Sequence, residues 1–293
     1  MPVAEDITGA VKEYVVGRTK LLLPADHAID HYQARWKRYD RALGEIARLV
    51  KGKYPDFRAI DIGANVGDSA ALISTYHDVP TLCIEGTETF LPFLRENARR
   101  IGSHVAIEVA FVGDGAAGDA YALQSNDVGT AKLVVDPDRA TGIQVKRLDA
   151  LLAGAADFAQ PRLIKIDTDG FDFQIITTSV ALLSELKPVL FYEYAPFERP
   201  NGVVDGIKSY QALLQAGYRH FIIYDNFGNY LLHLTGESMA QFVDLNGFLC
   251  SNQVNGVAVY YFDICAFGPE DFDLFNALRS AELSSFFGTT PGI

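Results

Sequence analysis

The stretch AIDIGANVGDSA, residues 59–70, carries an acid, an amide and two glycines in a spacing that suits ligand binding. Asp61 stands in an apolar run that predicts a buried strand, and Gly63, Asn65 and Gly67 follow it. In an open α/β sheet, ligands bind at the carboxyl ends of the strands. Gly63 would allow a tight turn there, and Gly67 a close approach of the next helix. Asn65 stands where a dinucleotide fingerprint has its second glycine, which argues against NAD and FAD.

A second acid stands at the end of the next predicted strand. Glu85 lies roughly 20 residues after Gly63, the spacing at which a carboxylate in a strand–helix–strand unit accepts hydrogen bonds from a ribose. An adenosine ligand without a pyrophosphate points to S-adenosylmethionine. Its ammonium group would suit Asp61, and its carboxylate would suit the amide-rich start of the helix predicted from residue 66.

Three further carboxylates lie near the ends of later predicted strands. RLIKIDTDG ends with Asp167 and Asp169, and KPVLFYEY contains Glu193. A carboxylate in such a place can accept the proton of a hydroxyl that is being alkylated. Asp167 and Asp169 also match the Asp-x-Asp of phosphohydrolases and of metal-dependent glycosyltransferases. A hard cation would need a third oxygen ligand, and none is evident from the sequence. Lys165, in the middle of its strand, is expected to be structural or to pair with a neighbouring acid.

The elements that must position these residues follow from the periodicity of the apolar residues. From about residue 58, short apolar runs alternate with helical patterns, which predicts an α/β fold with a mostly parallel sheet and helices on both faces. Residues 4–20 and 28–51 look helical, and Gly52 and Pro55 then break the pattern. We therefore expect a helical extension over 1–57 and a main domain over 58–293. The predicted strands of the main domain are RAIDIG, PTLCIEG, VAIEVAFVG, RLIKIDTDG, KPVLFYEY, YRHFIIYD and VAVYYFD, with small antiparallel strands within 114–147.

Composition limits the partners. The chain has 293 residues and a formal net charge of −12, which argues against a nucleic-acid partner. No apolar run approaches the roughly 18 residues that a membrane span needs, and the first ten residues lack the features of a secretion signal. The three cysteines are far apart, and His27 and His31, four residues apart, have no third metal ligand nearby. These features predict a cytoplasmic protein without a structural metal.

In order and spacing, the motifs resemble the FkbM family of S-adenosylmethionine-dependent methyltransferases. The similarity covers about residues 58–235, and Asp169 stands where the family usually has Glu. It implies a class I methyltransferase (Rossmann-like) fold and methyl transfer to a hydroxyl of a sugar, glycan or polyketide-like small molecule. The segments that carry it are AIDIGANVGDSA, CIEGTETFLPFLRENA, VKRLDALL, LIKIDTDGFDFQII, KPVLFYEY and LLQAGYRHFIIYDNFGNYL.

The resemblance also assigns roles to residues. It would place Asp167 at the methionine end of the cofactor and beside the acceptor; by their positions at strand ends, Asp167, Asp169 and then Glu193 are the expected catalytic carboxylates. No metal ligand is assigned, and the sequence leaves open both the need for a divalent metal and the oligomeric state, a homodimer included. A metal-dependent phosphoryl or glycosyl transferase built on Asp167 and Asp169 and a catalytically silent cofactor-binding protein are the alternatives. The cofactor-binding residues would be Asp61, Gly63, Asn65, Gly67 and Glu85, with the adenine near Val109 and Ala110.

Overall fold

The structure is a computed structural model, and it describes residues 7, 9–115, 121–125, 131–135 and 143–287. Its strands are β1 (Val11–Val16), β2 (Thr19–Pro24), β3 (Ala59–Ile62), β4 (Thr81–Glu85), β5 (Val105–Val109), β6 (Phe111–Val112), β7 (Tyr121–Ser125), β8 (Ala131–Val135), β9 (Val145–Lys146), β10 (Leu163–Ile166), β11 (Val189–Tyr194), β12 (His220–Asp225), β13 (Tyr230–Thr235) and β14 (Phe262–Phe267). Its helices are α1 (Ile29–Arg35), α2 (Arg41–Lys53), α3 (Asp68–Ile73), α4 (Leu91–Ile101), α5 (Leu148–Gly154), α6 (Asp172–Thr178), α7 (Val180–Leu186), α8 (Gly202–Gln215), α9 (Met239–Asn255) and α10 (Phe272–Phe287).

Eight strands form the central sheet, in the order β13-β12-β14-β11-β10-β3-β4-β5. Neighbouring strands from β11 to β5 are parallel, whereas β14 is antiparallel to both β11 and β12. The chain runs outward from β3 to β4 and β5, and then returns to build β10 and β11 on the other side. The carboxyl ends of β3 and β10 therefore flank the switch point, where ligands bind in sheets of this kind.

The sheet separates two hydrophobic cores because successive side chains of a strand point to opposite faces. Ile60 and Ile62 of β3 face the core that contains α5 to α9, whereas Ala59 faces the core that contains α2, α3, α4 and α10. The predicted Rossmann-like, mostly parallel sheet with helices on both faces is thus confirmed. Asp61, Lys165 and Phe191 share a register across β3, β10 and β11. Their side chains therefore project from the same face of the sheet.

The prediction of a helix over residues 4–20 is wrong. β1 and β2 form an antiparallel hairpin joined by two residues, of which Gly17 has a φ of 59°. Short turns with positive φ suit hairpins because their twist matches that of the strands. The hairpin is fixed to α4 by Asn97, whose side chain accepts a hydrogen bond from the Leu22 N–H (2.7 Å) and donates one to its carbonyl (2.8 Å).

The helix predicted over residues 28–51 is present in two pieces, α1 and α2. The helix is interrupted over residues 36–40, where Asp40 has a φ of 57° that a continuing helix does not allow. Leu43, Ile46 and Val50 of α2 are each 1% exposed and belong to the same core as one face of the sheet. The division of the chain at residue 57 stays a prediction.

Two other regions refine the sequence-based expectations. Within 114–147, β7 and β8 pair in an antiparallel way as predicted, whereas β9 pairs in parallel with β6; residues 116–120, 126–130 and 136–142 lie outside the described residues. The last strand along the chain, β14, begins at Phe262, although the apolar pattern predicts a strand over 257–263. Within the described residues, every helix is too short or too polar to cross a membrane.

Candidate active site

A cavity of about 300 Å³ lies at the carboxyl ends of β3, β4, β10 and β11. This cavity is lined by most of the site residues predicted from the sequence. It therefore brings together motifs that are distant along the chain. Asp61, Gly67 and Val109 are not among the lining residues. Those that line it are Gly63, Asn65, Glu85, Ala110, Asp167, Asp169 and Glu193.

The glycines of the first loop allow close approaches of the backbone. Gly63 has a φ of +78°, and a Cβ atom there would lie 1.7 Å from the carbonyl oxygen of Asp167. The loops after β3 and β10 can therefore touch only because residue 63 has no side chain. Gly67 has a φ of +88° and precedes α3, where a Cβ atom would lie 3.0 Å from Leu94 of α4. Its role is in packing rather than in the cavity wall.

Glu85 is held in a fixed orientation at the end of β4. Its two carboxylate oxygens accept hydrogen bonds from the backbone N–H groups of Asn65 (2.9 Å) and Thr87 (2.6 Å), and its side chain is buried. A carboxylate oxygen has a second lone pair, so each can still accept a hydroxyl hydrogen from a ligand in the cavity. Glu85 thus joins the first glycine loop to the second strand end.

The two residues predicted to lie near the adenine differ in their position relative to the cavity. Ala110 lines the cavity, whereas Val109 is 49% exposed and lies outside the lining. The ring of Phe111 also lines the cavity, and it packs so closely on Gly86 that a Cβ atom there would lie 2.5 Å from the ring. Gly86 therefore makes room for an aromatic side chain against which a flat ring could stack.

Lys165 lies between two carboxylates, in agreement with the expectation that it pairs with a neighbouring acid. Its Nζ lies 3.5 Å from Oδ1 of Asp61 and 3.1 Å from Oδ2 of Asp167. Asp61 is fully buried, and burial raises its pKa to about 6 even though the Lys165 ammonium acts in the opposite direction. Lys165 thereby connects Asp61 on β3 to Asp167, the predicted catalytic acid that follows the adjacent strand β10.

Asp167, Asp169 and Glu193 form a compact acidic group. One carboxylate oxygen from each lies within 4.8 Å of the others, an arrangement that could hold a metal ion. Glu193 would supply the third oxygen of such a site, and the sequence does not reveal this because Glu193 comes from a different strand. Burial first, and then the neighbouring carboxylates, raise the pKa of Asp169 to about 7 and that of Glu193 well above its ordinary value.

The loop that carries these acids is ordered by a further carboxylate. Asp172 accepts hydrogen bonds from the Thr168 N–H (3.2 Å), the Thr168 hydroxyl (3.1 Å) and the Gly170 N–H (3.2 Å). Asp169 stands inside this loop with a φ of 52°, in the left-handed region. Such a conformation persists where surrounding contacts hold it, as these hydrogen bonds do.

Several lining residues come from outside the sequence motifs. His27, Tyr39 and Asp40 reach the cavity from the N-terminal segment, and Asp263 lies directly opposite Glu193 on β14. Burial is the main cause that raises the pKa of Asp40 to about 8. No motif or spacing could identify these residues, because their approach to the cavity depends on how distant elements pack. His31, by contrast, is exposed, and it does not join His27 in the cavity lining.

Residues 61–220 of the chain match the methyltransferase FkbM domain. No curated protein matches the chain. Among solved structures, the chain is similar to methyltransferase FkbM from Methylobacillus flagellatus KT, with 17% identity and a TM-score of 0.40 over 67% of this chain and 55% of that one. It is also similar to a putative O-methyltransferase from Klebsiella pneumoniae, with 12% identity and a TM-score of 0.43 over 84% of this chain and 91% of that one. The chain thus spans about half the length of the first of these structures.

Proposed function

Because the chain belongs to the FkbM methyltransferase family, we propose that it transfers the methyl group of S-adenosylmethionine to a hydroxyl of a sugar, glycan or polyketide-like small molecule. Family membership supports methyl transfer, and the choice of a hydroxyl acceptor rests on the acids of the site. The observation that carries the proposal is one continuous cavity that contains Glu85 and the first glycine loop together with Asp167, Asp169 and Glu193.

The residues of the cavity fit the proposed cofactor. The absence of a side chain at Gly63 lets the loops after β3 and β10 meet beside the cavity, and the oriented carboxylate of Glu85 suits two ribose hydroxyls. Phe111 and Ala110 would border the adenine. Asp68 lines the cavity beside Asn65, and its carboxylate makes this end of the cavity favourable for an ammonium group. When bound, the cofactor supplies an electrophilic methyl group on a sulfonium.

The acidic group is suited to removing the proton of a hydroxyl. The Lys165 ammonium lies 3.1 Å from Asp167 and fixes the position of that carboxylate at the cavity wall, where it can orient an acceptor hydroxyl. The pKa of Asp169, raised to about 7, lies near the pH at which a general base is most effective. We therefore propose that Asp167 orients the hydroxyl or accepts its proton, with Asp169 and Glu193 as the adjoining proton acceptors.

A divalent cation is the other way in which the same three carboxylates could act. It would lower the pKa of a bound hydroxyl and compensate the mutual repulsion of the acids. Phosphoryl transfer and glycosyl transfer, the two alternative activities, would need a metal site, and the acidic group is a candidate for it. The family match favours methyl transfer over both, and over a catalytically silent protein.

The test is transfer of a labelled methyl group from S-adenosylmethionine to a panel of sugars and polyols, with and without EDTA. We expect product from the wild type in both conditions, and a loss of about 10²-fold or more in Asp167→Asn, the size expected for a lost acid–base group. Asp205→Asn, which alters a half-exposed carboxylate on α8, is the matched control. Full activity in Asp167→Asn would remove Asp167 from the mechanism, and activity that EDTA abolishes would make it a metal ligand. Binding of cofactor without any product would support the silent alternative.

A further inference from the structure

We infer that His27, in the loop before α1, donates a hydrogen bond to the carboxylate at the amino-acid end of the cofactor. The inference rests on the proposed use of S-adenosylmethionine and adds a binding residue to it. His27 lies outside residues 61–220, which match the family domain. The N-terminal segment would therefore take part in cofactor binding as well as in packing.

The position of His27 is fixed by contacts of its backbone. Its side chain is 7% exposed and borders the cavity beside Asn65 and Asp68. Its N–H donates to the carbonyl of Pro24 (3.1 Å), at the end of the hairpin. Lys12 donates to the carbonyl of His27 (2.6 Å) while it pairs with Asp30 (2.8 Å). The imidazole is thus held at the wall of the cavity by the hairpin and α1 together.

The hydrogen-bond pattern indicates which ring nitrogen carries the proton. The backbone N–H of Ile29 lies 3.4 Å from Nδ1 of His27, and a backbone N–H can only donate. Nδ1 is therefore the acceptor and Nε2 the donor. Burial is the main cause that lowers the pKa of His27, so the ring is neutral at neutral pH. A neutral donor at a cavity wall suits an anionic ligand group without adding a second buried charge.

The order of the residues along the cavity places His27 at the amino-acid end. Glu85 marks the proposed ribose position, and Asn65 is joined to it by a hydrogen bond of 2.9 Å. The side chain of Asn65 in turn lies within hydrogen-bonding reach of His27, and the Asp68 carboxylate acts on the imidazole through its charge. The next ligand group beyond the ribose, on the side of His27, is the amino-acid arm.

The charges near His27 complement a zwitterion. Asp68, which lines the cavity, supplies negative charge for the ammonium group of that arm. Lys165 is the nearby cation, but it already lies between the carboxylates of Asp61 and Asp167. His27 lies outside the ion pairs of Lys165 with Asp61 and Asp167, and its ring N–H can donate a hydrogen bond to the ligand carboxylate.

The test compares two ligands by calorimetry. S-adenosylhomocysteine has the amino-acid arm, and 5′-methylthioadenosine shares the adenosine but lacks the arm. For His27→Phe we expect affinity for S-adenosylhomocysteine to fall about 10- to 100-fold, as for a lost hydrogen bond to a charged group, with affinity for methylthioadenosine changed less than about twofold. His27→Gln, whose amide can donate from a similar position, should recover most of the affinity.

Controls separate this role from packing. His31→Phe changes an exposed histidine four residues further along and should bind both ligands like the wild type. Equal losses for both ligands in His27→Phe, or unchanged affinity for S-adenosylhomocysteine in both His27 variants, would overturn the inference. If His27→Phe does not fold, His27→Gln must still bind methylthioadenosine like the wild type, and a loss there would overturn it equally. A wild type that binds neither ligand would instead refute the proposed function.

Discussion

Replacing Lys165 with Met tests how the buried charges of the site are balanced. The Lys165 side chain is 8% exposed, and Asp61, 3.5 Å away, is fully buried. Within the described residues, neither carboxylate oxygen of Asp61 has a hydrogen-bond donor. The Lys165 ammonium is therefore the group that compensates the charge of Asp61, and methionine has nearly the same length without that charge.

The expected cost depends on pH. Leaving a buried charge without its partner typically costs about 3–5 kcal/mol of unfolding free energy. Asp61 can avoid this cost by taking up a proton, since burial already raises its pKa from 3.8 to about 6. A carboxyl whose pKa is higher in the folded than in the unfolded state lowers stability as pH rises through that interval. Without Lys165 the folded pKa of Asp61 rises further, so the stability of the variant should fall more steeply above pH 6 than that of the wild type.

The assay is urea unfolding of the wild type and Lys165→Met at pH 5 and pH 8. We expect a small difference at pH 5 and a deficit approaching about 3 kcal/mol at pH 8, since each pH unit above the wild-type pKa of about 6 adds about 1.36 kcal/mol. The double variant Asp61→Asn/Lys165→Met, in which both partners are neutral, should recover much of the stability at pH 8. Equal deficits at the two pH values, or no recovery in the double variant, would refute this reasoning.

Three further predictions concern the cofactor end of the cavity and the N-terminal segment. Glu85→Ala should weaken binding of S-adenosylhomocysteine about 10- to 100-fold by calorimetry; unchanged affinity would mean that the ribose binds elsewhere. Gly63→Val should lower the melting temperature and abolish ligand binding, because its Cβ would lie 1.7 Å from the Asp167 carbonyl, whereas Gly154→Ala, in open space, should do neither. Deleting residues 1–51 should leave an aggregating protein, since each buried Leu, Ile or Val that it removes contributes about 1.5–3 kcal/mol; a stable, monodisperse product would contradict this.

The sheet and much of the cavity could be predicted because their signals are local. Each apolar run from Ala59 to Asp225 that predicts a strand forms one within a few residues. Asp61, Gly63 and Glu85 follow from the rule that the strand ends of a parallel sheet meet at one edge. Their assignment to the cofactor stays a prediction, which the variants above test.

The N-terminal hairpin is hard to predict from the sequence because hairpins and helices can share a composition. VKEYVV and TKLLLP contain enough apolar residues for a helix, and neither shows the strict alternation of apolar and polar residues that would indicate a strand. The contributions of His27, Asp40 and Asp263 depend on long-range packing. Neither motif nor spacing in a single sequence carries that information.

Whether this cavity binds S-adenosylmethionine can be measured by calorimetric titration of the wild type with S-adenosylhomocysteine. We expect a dissociation constant in the micromolar range, with one ligand per chain. We also expect a higher melting temperature, since a hundredfold excess over the dissociation constant stabilises the folded state by about 2.7 kcal/mol. No heat of binding and no thermal shift at millimolar ligand, for a protein shown to be folded, would contradict it.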